Sequence, residues 1–134
     1  MVEVIDTCLW IDFLRVKTVP EVRALAARRI NEPSAALCEP IQFELLRGCE
    51  SKMRRGVQQR MNTMPLLHTP TDLWRAGLKL GEICYDRRLT INSIDLLIAS
   101  VCIYHGAILV TFDKQFQSLA EFSALKVDVI KRPI

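Results

Sequence analysis

Short apolar runs alternate with longer amphipathic stretches along this chain. Four runs rich in Val, Ile, Leu or Ala have the length of strands, at residues 2–5, 34–37, 108–111 and 127–130. They are apolar almost throughout instead of at every second position, which is typical of strands buried on both faces of a parallel sheet. Because helical stretches separate them, the pattern predicts an α/β domain whose central, mostly parallel sheet is flanked by helices.

Two of the intervening stretches have clear helical character. The first places five apolar residues on one stripe, namely Leu73, Ala76, Leu80, Ile83 and Cys84. The second covers residues 94–103 and is apolar nearly all round, which predicts a central, buried helix. Gly106 directly follows its last periodic residues and is expected to end that helix.

The bulk composition is that of one folded domain. The 134 residues contain no repeat, low-complexity tract or linker, so we expect a single domain over residues 1–134. Hydrophobic residues make up 50% of the chain and charged residues 25%, a slight apolar surplus that favours a protein partner or a homodimer. The net charge is only +3, so attraction to nucleic acid must come from local clusters of Lys and Arg.

Targeting signals are absent from the sequence. The start lacks the basic segment and apolar core of a secretory signal. The longest stretch without Asp, Glu, Lys or Arg, residues 96–112, is short for a bilayer and contains Gly106. We therefore expect a cytoplasmic protein with no membrane segment, whose five cysteines are small, reduced and mostly buried side chains.

Four carboxylates stand out by their position in these elements. Asp6 ends the first apolar run, and Asp113 follows the third run after one residue. Asp95 lies in the first turn of the buried helix, and Glu44 lies on the inward stripe of another helix. Each also has a purely structural explanation: a helix cap for both strand-end residues, a favourable helix dipole for Asp95, and pairing of Glu44 with Arg47.

The joint arrangement of these carboxylates indicates a metal site. The carboxyl ends of parallel strands lie along one edge of a sheet, so Asp6 and Asp113 are expected to meet, with Asp95 beside them if its helix begins there. Converging carboxylates repel one another unless a cation neutralises them. Mg²⁺ and Mn²⁺ are bound by carboxylate oxygens and waters, without His or Cys. His68 and His105 lack ligand spacing, so we interpret them as structural.

Other protein classes with acidic residues after the first strand have sequence motifs that this chain lacks. A phosphatase of the haloacid dehalogenase type would have a second Asp where this chain has Cys8. A receiver domain would have an acidic pair at this place, and Glu3 and Asp6 do not form one. The chain also has no Gly-rich phosphate loop of the Walker type.

Four segments in order resemble the PIN-domain ribonucleases, specifically toxins of the VapC type. They are DTCLWIDFL with Asp6, FELLRG with Glu44, IDLLIAS with Asp95 and HGAILVTFDKQF with Asp113, and they span essentially the whole chain. The resemblance implies a PIN-like three-layer α/β/α fold and an endoribonuclease that depends on Mg²⁺ or Mn²⁺. It also implies a homodimer and a neutralising antitoxin protein.

The resemblance also assigns residues by position. Asp6, Glu44, Asp95 and Asp113 match the acidic, metal-binding site of the family, and Thr111 matches its polar residue before the last carboxylate. The hydroxyl of this threonine is expected to orient a carboxylate or a water bound to the metal. Thr7 could also orient a carboxylate or a metal-bound water, or it could instead cap the N-terminus of the following helix.

Two positions depart from the family pattern. Members often carry a further acidic residue where this chain has Gln115, and Ser or Asn is common where it has Cys8. The glutamine weakens the case for a second metal site, because that site has fewer carboxylates to draw on. The number of ions, one or two, therefore stays open.

A basic segment lies between the second and third apolar runs. It contains Arg47, Lys52, Arg54, Arg55 and Arg60 against a single acid, Glu50. The cations could track the phosphate backbone of an RNA substrate, or they could form an ordinary solvated helix face. Both interpretations stay open on the sequence alone.

Three further residues have structural interpretations. Trp10 and Trp74 lie on apolar stripes of helices, so we expect them in the core or in a dimer contact. Asp12 is expected to be a polar surface residue.

These features predict a metal-dependent endoribonuclease that hydrolyses RNA phosphodiester bonds and is the toxin of a toxin–antitoxin pair. Two alternatives remain. One is a PIN-like module that binds RNA or protein without cutting, and the other is a nuclease that acts on DNA.

Overall fold

A computed structural model of the chain describes residues 1–133, which form five strands and seven helices. The strands are β1 (Glu3–Ile5), β2 (Ala35–Cys38), β3 (Leu66–Leu67), β4 (Ile108–Thr111) and β5 (Lys126–Val129). The helices are α1 (Thr7–Leu14), α2 (Pro20–Ile30), α3 (Glu39–Arg47), α4 (Ser51–Met61), α5 (Leu73–Asp86), α6 (Ser93–His105) and α7 (Gln115–Ala120). Among the described residues, no helix is long and apolar enough to cross a membrane.

The sheet has the strand order β3-β2-β1-β4-β5, and every neighbouring pair is parallel. The predicted α/β fold with a parallel sheet is thereby confirmed. Val4 and Ile5 are adjacent in β1, so their side chains point to opposite faces of the sheet, and both are fully buried. Helices therefore cover both faces, as the three-layer expectation requires.

The strand boundaries follow the apolar runs closely. β4 has the predicted bounds, and the other three predicted strands are shortened or shifted by one residue. β3 was missed, because two leucines, of which Leu66 is 47% exposed, are too short a run to show a strand pattern.

Helix α6 is buried, as its apolar sequence predicts. Four of its side chains are 0% exposed: Ile98, Ala99, Val101 and Cys102. Gly106 ends the helix with a left-handed φ of 64°, a conformation that favours glycine. The predicted C-terminus is thereby confirmed.

The predicted inward stripe of α5 is partly wrong. Leu73, Leu80 and Cys84 are buried, but Ile83 is 40% exposed. The helix approaches α6 through the buried Gly77, where an added Cβ would lie 3.0 Å from Leu97 Cδ2. This close approach centres the contact face on the glycine and turns Ile83 toward solvent.

The structure confirms one prediction and corrects another. Trp10 is fully buried in the core, whereas Trp74 is 75% exposed, which leaves a dimer contact as its predicted role. Asp12 is 7% exposed and is therefore buried, not a surface residue. Its carboxylate accepts hydrogen bonds from Arg132 Nε at 3.0 Å and Nη2 at 3.1 Å. Because this guanidinium supplies the opposite charge, the aspartate tolerates burial.

The cysteines and histidines have the expected structural surroundings. All five cysteines are free, and Cys38, Cys84 and Cys102 are buried. His105 Nε2 donates to the backbone carbonyl of His68 at 2.8 Å, and the two rings stack edge to face. These contacts lie outside the acidic cleft described below.

Candidate active site

The centre of the sheet brings two acidic strand ends together. β1 and β4 are neighbours, with β2 and β3 on one side and β5 on the other. In open parallel sheets, the crevice at the carboxyl ends of such a strand pair is where ligands bind. Asp6 directly follows β1, and Asp113 follows β4 after Phe112. The topology therefore places both carboxylates at this crevice.

Asp6 is the N-cap of α1 and is only 5% exposed. Its Oδ1 accepts the backbone N–H of Thr7 at 2.8 Å, which confirms the cap. Its Oδ2 accepts the Thr111 hydroxyl at 2.6 Å and the Cys8 thiol at 3.4 Å. Burial raises the pKa of Asp6, and these hydrogen bonds oppose the rise only in part. Among residues 1–133, no Lys or Arg forms an ion pair with it.

Thr111 connects the two strand ends. This residue is 0% exposed, and its hydroxyl donates to Asp6 Oδ2 while it accepts the backbone N–H of Asp113 at 3.0 Å. Asp113 Oδ1 in turn accepts the backbone N–H of Gln115 at 2.9 Å. The hydroxyl therefore bridges the carboxylate of Asp6 and the backbone of Asp113.

Asp95 lies in the first turn of α6, as predicted. Asn92 is the N-cap of this helix, and its Oδ1 accepts the backbone N–H of Asp95 at 2.8 Å. Burial raises the pKa of Asp95 to about 7, and the negative charges of Asp6, Glu44 and Asp113 contribute to the rise. The four carboxylates are thus close enough to repel one another.

Glu44 lies on the predicted inward stripe of α3. It is half-buried, and its neighbours on the same side of the helix, Ile41 and Leu45, are buried. No ion pair with Arg47 occurs within the part of the chain that the structure describes, so the pairing considered from the sequence is not formed. The charge of Glu44 instead adds a small amount to the rise that burial produces in the pKa of Asp6.

All four carboxylates line one cleft of about 520 Å³. Apolar side chains of α1 and α4, such as Ile11 and Met53, form part of the wall, and Arg15 contributes a cation. Over residues 1–133, no group of three or more His, Cys, Asp or Glu side chains is close enough together, as it stands, to hold a metal ion. The carboxylates therefore share the cleft without forming a closed coordination shell.

The donor chemistry of the cleft fits a hard divalent cation. Carboxylate oxygens dominate its polar lining, and Mg²⁺ and Mn²⁺ prefer such ligands. Thr7 adds a hydroxyl that is almost fully buried and has no hydrogen-bond partner among the described residues. Burial and the charge of Asp6 raise the pKa of Cys8 to about 12, which keeps this lining residue a neutral thiol. The site therefore offers oxygen ligands and little thiolate.

The basic residues singled out from the sequence lie at the end of α3 and on α4, two helices that also contribute residues to the cleft wall. Arg47, Lys52, Arg54 and Arg55 are all exposed. Except for Arg47 in α3, they lie on α4, whose Met53 and Val57 face the cleft. Lys52 Nζ lies 3.7 Å from Glu50, and Arg54 Nη2 donates to the Cys49 carbonyl at 3.1 Å.

Several lining residues were not predicted from the sequence, among them the polar residues Arg15, Glu50 and Asn92. Asn92 could have been found, because an Asn directly before Ser93-Ile94-Asp95 and an apolar helix is a strong N-cap signal. Arg15 gave no such signal. It directly follows α1, and only the tertiary packing of the chain brings it to the cleft.

Comparison with known protein sequences shows which family the chain belongs to. The family model described as PIN domain matches residues 4–122. The chain is 30% identical over 135 aligned positions to the VapC ribonuclease Mb1587 of Mycobacterium bovis. It has the same identity to ribonuclease VapC11 of Mycobacterium tuberculosis, and both alignments cover 91% of this chain and 94% of the relative.

Comparison with solved structures agrees with the fold. VapBC2 from Rickettsia felis, bound to a DNA fragment from its promoter, has a chain with a TM-score of 0.73 at 18% identity, covering 98% of this chain and 100% of that chain. VapBC-1 from nontypeable Haemophilus influenzae gives 0.73 at 18% identity, covering 96% and 98%. At 18% sequence identity, these two matches show a shared fold and nothing about function. With the family match and the 30% identical relatives, they establish that the chain belongs to the PIN-domain ribonuclease family, as a member of the VapC type.

Proposed function

We propose that this chain is a divalent-metal-dependent endoribonuclease that hydrolyses RNA phosphodiester bonds in the cytoplasm. The observation that carries the proposal is a single cleft whose lining includes all four of these carboxylates. Burial in it, together with the charges of the other three, raises the pKa of Asp95 to about 7. Such a cleft repels an anionic RNA unless a cation lies between them. The VapC ribonucleases that match 91% of the chain support RNA as the substrate.

In this proposal, Asp6, Glu44, Asp95 and Asp113 hold one or two Mg²⁺ or Mn²⁺ ions. A bound ion would lower the pKa of a water ligand and offset negative charge on the scissile phosphate. The aspartate that is most deeply buried, Asp6, keeps both oxygens oriented by hydrogen bonds, so it needs little rearrangement to act as a ligand.

Two neutral residues position these ligands. Thr111 fixes Asp6 through its side chain and Asp113 through the backbone N–H that it accepts. Asn92 fixes the first turn of α6 and with it the backbone of Asp95. Removing either is expected to misplace a carboxylate without removing one, which is why we separate these positioning residues from the ligands.

The exposed cations of α3 and α4 are proposed to bind the RNA backbone. Arg47, Lys52, Arg54 and Arg55 supply positive charge beside an acidic cleft, where the flanking phosphates of a bound strand would otherwise meet only carboxylates. In this proposal the cations attract the RNA and the carboxylates inside the cleft carry the chemistry.

The proposed reaction is in-line attack of water on the phosphorus, with cleavage of the bond to the 3′ oxygen. The products are a 5′-phosphate and a 3′-hydroxyl. End-group analysis of cleaved RNA tests this: fragments should be substrates for a 5′-phosphate-dependent exonuclease. Fragments that end in a 2′,3′-cyclic phosphate would contradict the proposal, because they require attack by the ribose 2′-hydroxyl.

A protein antitoxin is the proposed regulatory partner. The solved neighbours with TM-scores of 0.73 are VapBC proteins, and VapBC-5 of Mycobacterium tuberculosis is described as a member of a toxin–antitoxin family. We infer that this chain is the toxin and is held inactive by an antitoxin encoded beside it. Co-expression with the neighbouring open reading frame should relieve growth inhibition by this chain, and persistent inhibition would contradict the pairing.

A homodimer is proposed through the outer face of α5. Trp74, Leu78 and Tyr85 are 75%, 64% and 84% exposed, and their spacing places them along one face of the helix. Contiguous exposed apolar side chains of this size are typical of protein interfaces. A second copy of the chain would bury these side chains, which is consistent with the high share of hydrophobic residues in the sequence.

A further inference from the structure

We propose that Gln115 is a positioning residue that ties the loop before α6 to the end of β4, and that it is not a metal ligand. The inference rests on the proposed function, because the two segments it joins carry Asp95 and Asp113. It concerns the position where the resemblance described above leads one to expect a further acidic residue, and it explains what an amide does there instead.

The geometry of Gln115 supports a tie. Its side-chain Nε2 donates to the backbone carbonyl of Thr90 at 2.7 Å, and its backbone N–H donates to Asp113 Oδ1 at 2.9 Å. Thr90 lies two residues before Asn92, the residue that caps α6 and accepts the backbone N–H of Asp95. One glutamine therefore connects both acidic segments through short hydrogen bonds.

The chemistry of the contact selects an amide. The Thr90 carbonyl is an acceptor, so its partner must donate, and the NH₂ group of glutamine does so. A glutamate of the same shape has only acceptor oxygens when ionised, and it would bring a negative charge against that carbonyl. A glutamate would therefore leave the carbonyl and turn toward the cleft, at the cost of the tie.

The tie acts on the distance between two segments that repel each other. Burial raises the pKa of Asp95, and the negative charge of Asp113 adds to the rise, so the two carboxylates are near enough to repel. Without such a connection, the short loop ahead of α6 is free to move away from β4. The hydrogen bond from Gln115 opposes this separation while adding no charge to the cleft.

Hydrogen exchange in the metal-free protein tests the tie without reference to activity. The variants are Gln115→Met, which keeps the length and removes the donor, and Gln115→Glu, which keeps the shape and reverses the hydrogen-bonding role. Gln117→Met is the matched control, because Gln117 is exposed on the same helix and its side chain has no hydrogen bond among the described residues. The readouts are the backbone amides of Asp95 and Leu96, which bond to Asn92 oxygens.

Both Gln115 variants should exchange these two amides about two- to tenfold faster than the native chain, the range that follows from removing one hydrogen bond. Gln117→Met should leave the rates unchanged. Native rates in Gln115→Met would overturn the proposal. So would loss of protection in the control to the same degree, because the effect would then belong to α7 as a whole.

Metal binding and kinetics test the second half of the inference. Calorimetric titration with Mn²⁺ should give Gln115→Glu no tighter binding and no additional equivalent of ion compared with the native chain. With RNA, Gln115→Met should lower kcat and leave KM nearly unchanged. A second Mn²⁺ equivalent in Gln115→Glu, with faster cleavage, would overturn the inference and assign the position to a ligand. If the native chain cuts no RNA, the proposed function fails, while the exchange result still decides the tie.

Discussion

The hydroxyl of Thr111 donates a 2.6 Å hydrogen bond to Asp6 Oδ2, across the junction between β4 and β1. The two residues are 105 positions apart in the chain, and both are buried. The same hydroxyl accepts the backbone N–H of Asp113. A single oxygen thus sets the relative position of two carboxylates in the cleft.

Replacing Thr111 with Val should damage stability and activity together. The isosteric side chain removes a donor from a buried carboxylate, which costs about 1–3 kcal/mol of unfolding free energy. Urea unfolding of the metal-free protein measures this loss. Thr111→Ser is the control, because it keeps the hydroxyl, and it should retain most of the cleavage rate. Equal losses of activity in the two variants would show that the hydroxyl does not position the site.

Asp95 should make the metal-free protein less stable as pH rises. Its pKa is about 7 in the folded chain against 3.8 for the unfolded group. Because the folded pKa is the higher one, the stabilising contribution is complete below pH 3.8 and is lost as pH rises through about 7. Thermal unfolding in EDTA should give a lower Tm at about pH 8 than at about pH 5.

Asp95→Asn is the matched variant for this pH dependence, since it cannot ionise. Its Tm should fall less between the same two pH values, and Asp6, whose pKa burial also raises, should contribute to the slope that remains. Added Mn²⁺ should raise the Tm of the native chain more than that of the variant. A native Tm that rises with pH in EDTA would contradict the electrostatic description of the cleft.

The exposed cations of α3 and α4 should control the salt dependence of RNA binding. Arg54 and Arg55 are exposed on α4, so Arg54→Gln with Arg55→Gln should preserve the fold. The slope of log K against log salt should decrease by up to about 0.7 for each single-strand phosphate that these arginines neutralise. Binding is measured in the Asp95→Asn background so that RNA is not cut.

The control for this experiment is the pair Arg23→Gln and Arg28→Gln on α2, which removes the same charge from another exposed helix. It should leave the slope near that of the native chain. Identical slopes for the α4 pair and the native chain would mean that the basic segment is an ordinary solvated face.

The outer face of α5 should carry the homodimer. Light scattering at micromolar concentration should give a dimer for the native chain and a monomer for Trp74→Glu with Leu78→Glu, because charges on this face cannot be buried against a second copy. Val16→Glu is the control, since Val16 is 82% exposed in the connection after α1. A native monomer, or a dimer that survives the α5 substitutions, would contradict this assignment.

The position of the four carboxylates could be predicted from the sequence because the apolar pattern located the strands and helices that carry them. The apolar runs located β1 and β4, and the rule that parallel strands end at one edge brought Asp6 and Asp113 together. Asp95 joined them because the apolar run after Asn92 marks the start of a buried helix. Glu44 was found because a carboxylate on an inward stripe is costly.

Contacts between distant segments could not be predicted in the same way. Asp12 looks like a surface residue because its partner, Arg132, is 120 positions away. The hydrogen bond from Gln115 to Thr90 also depends on how two loops meet in the fold. Trp74 fits an apolar helical stripe, but packing through Gly77 leaves it outside. Sequence periodicity shows which faces are apolar, whereas tertiary packing decides which of them is covered.

Cleavage of total RNA with and without Mg²⁺ or Mn²⁺ tests the proposed activity most directly. The native chain is compared with Asp95→Asn and with Asp72→Asn, a control that removes an exposed carboxylate outside the cleft. We predict cleavage by the native chain and the control only when the ion is present, and a loss of at least about 100-fold in Asp95→Asn. Equal cleavage by the native chain and Asp95→Asn, or undiminished cleavage in EDTA, would contradict the proposal, and no cleavage by any of them would favour a binding module.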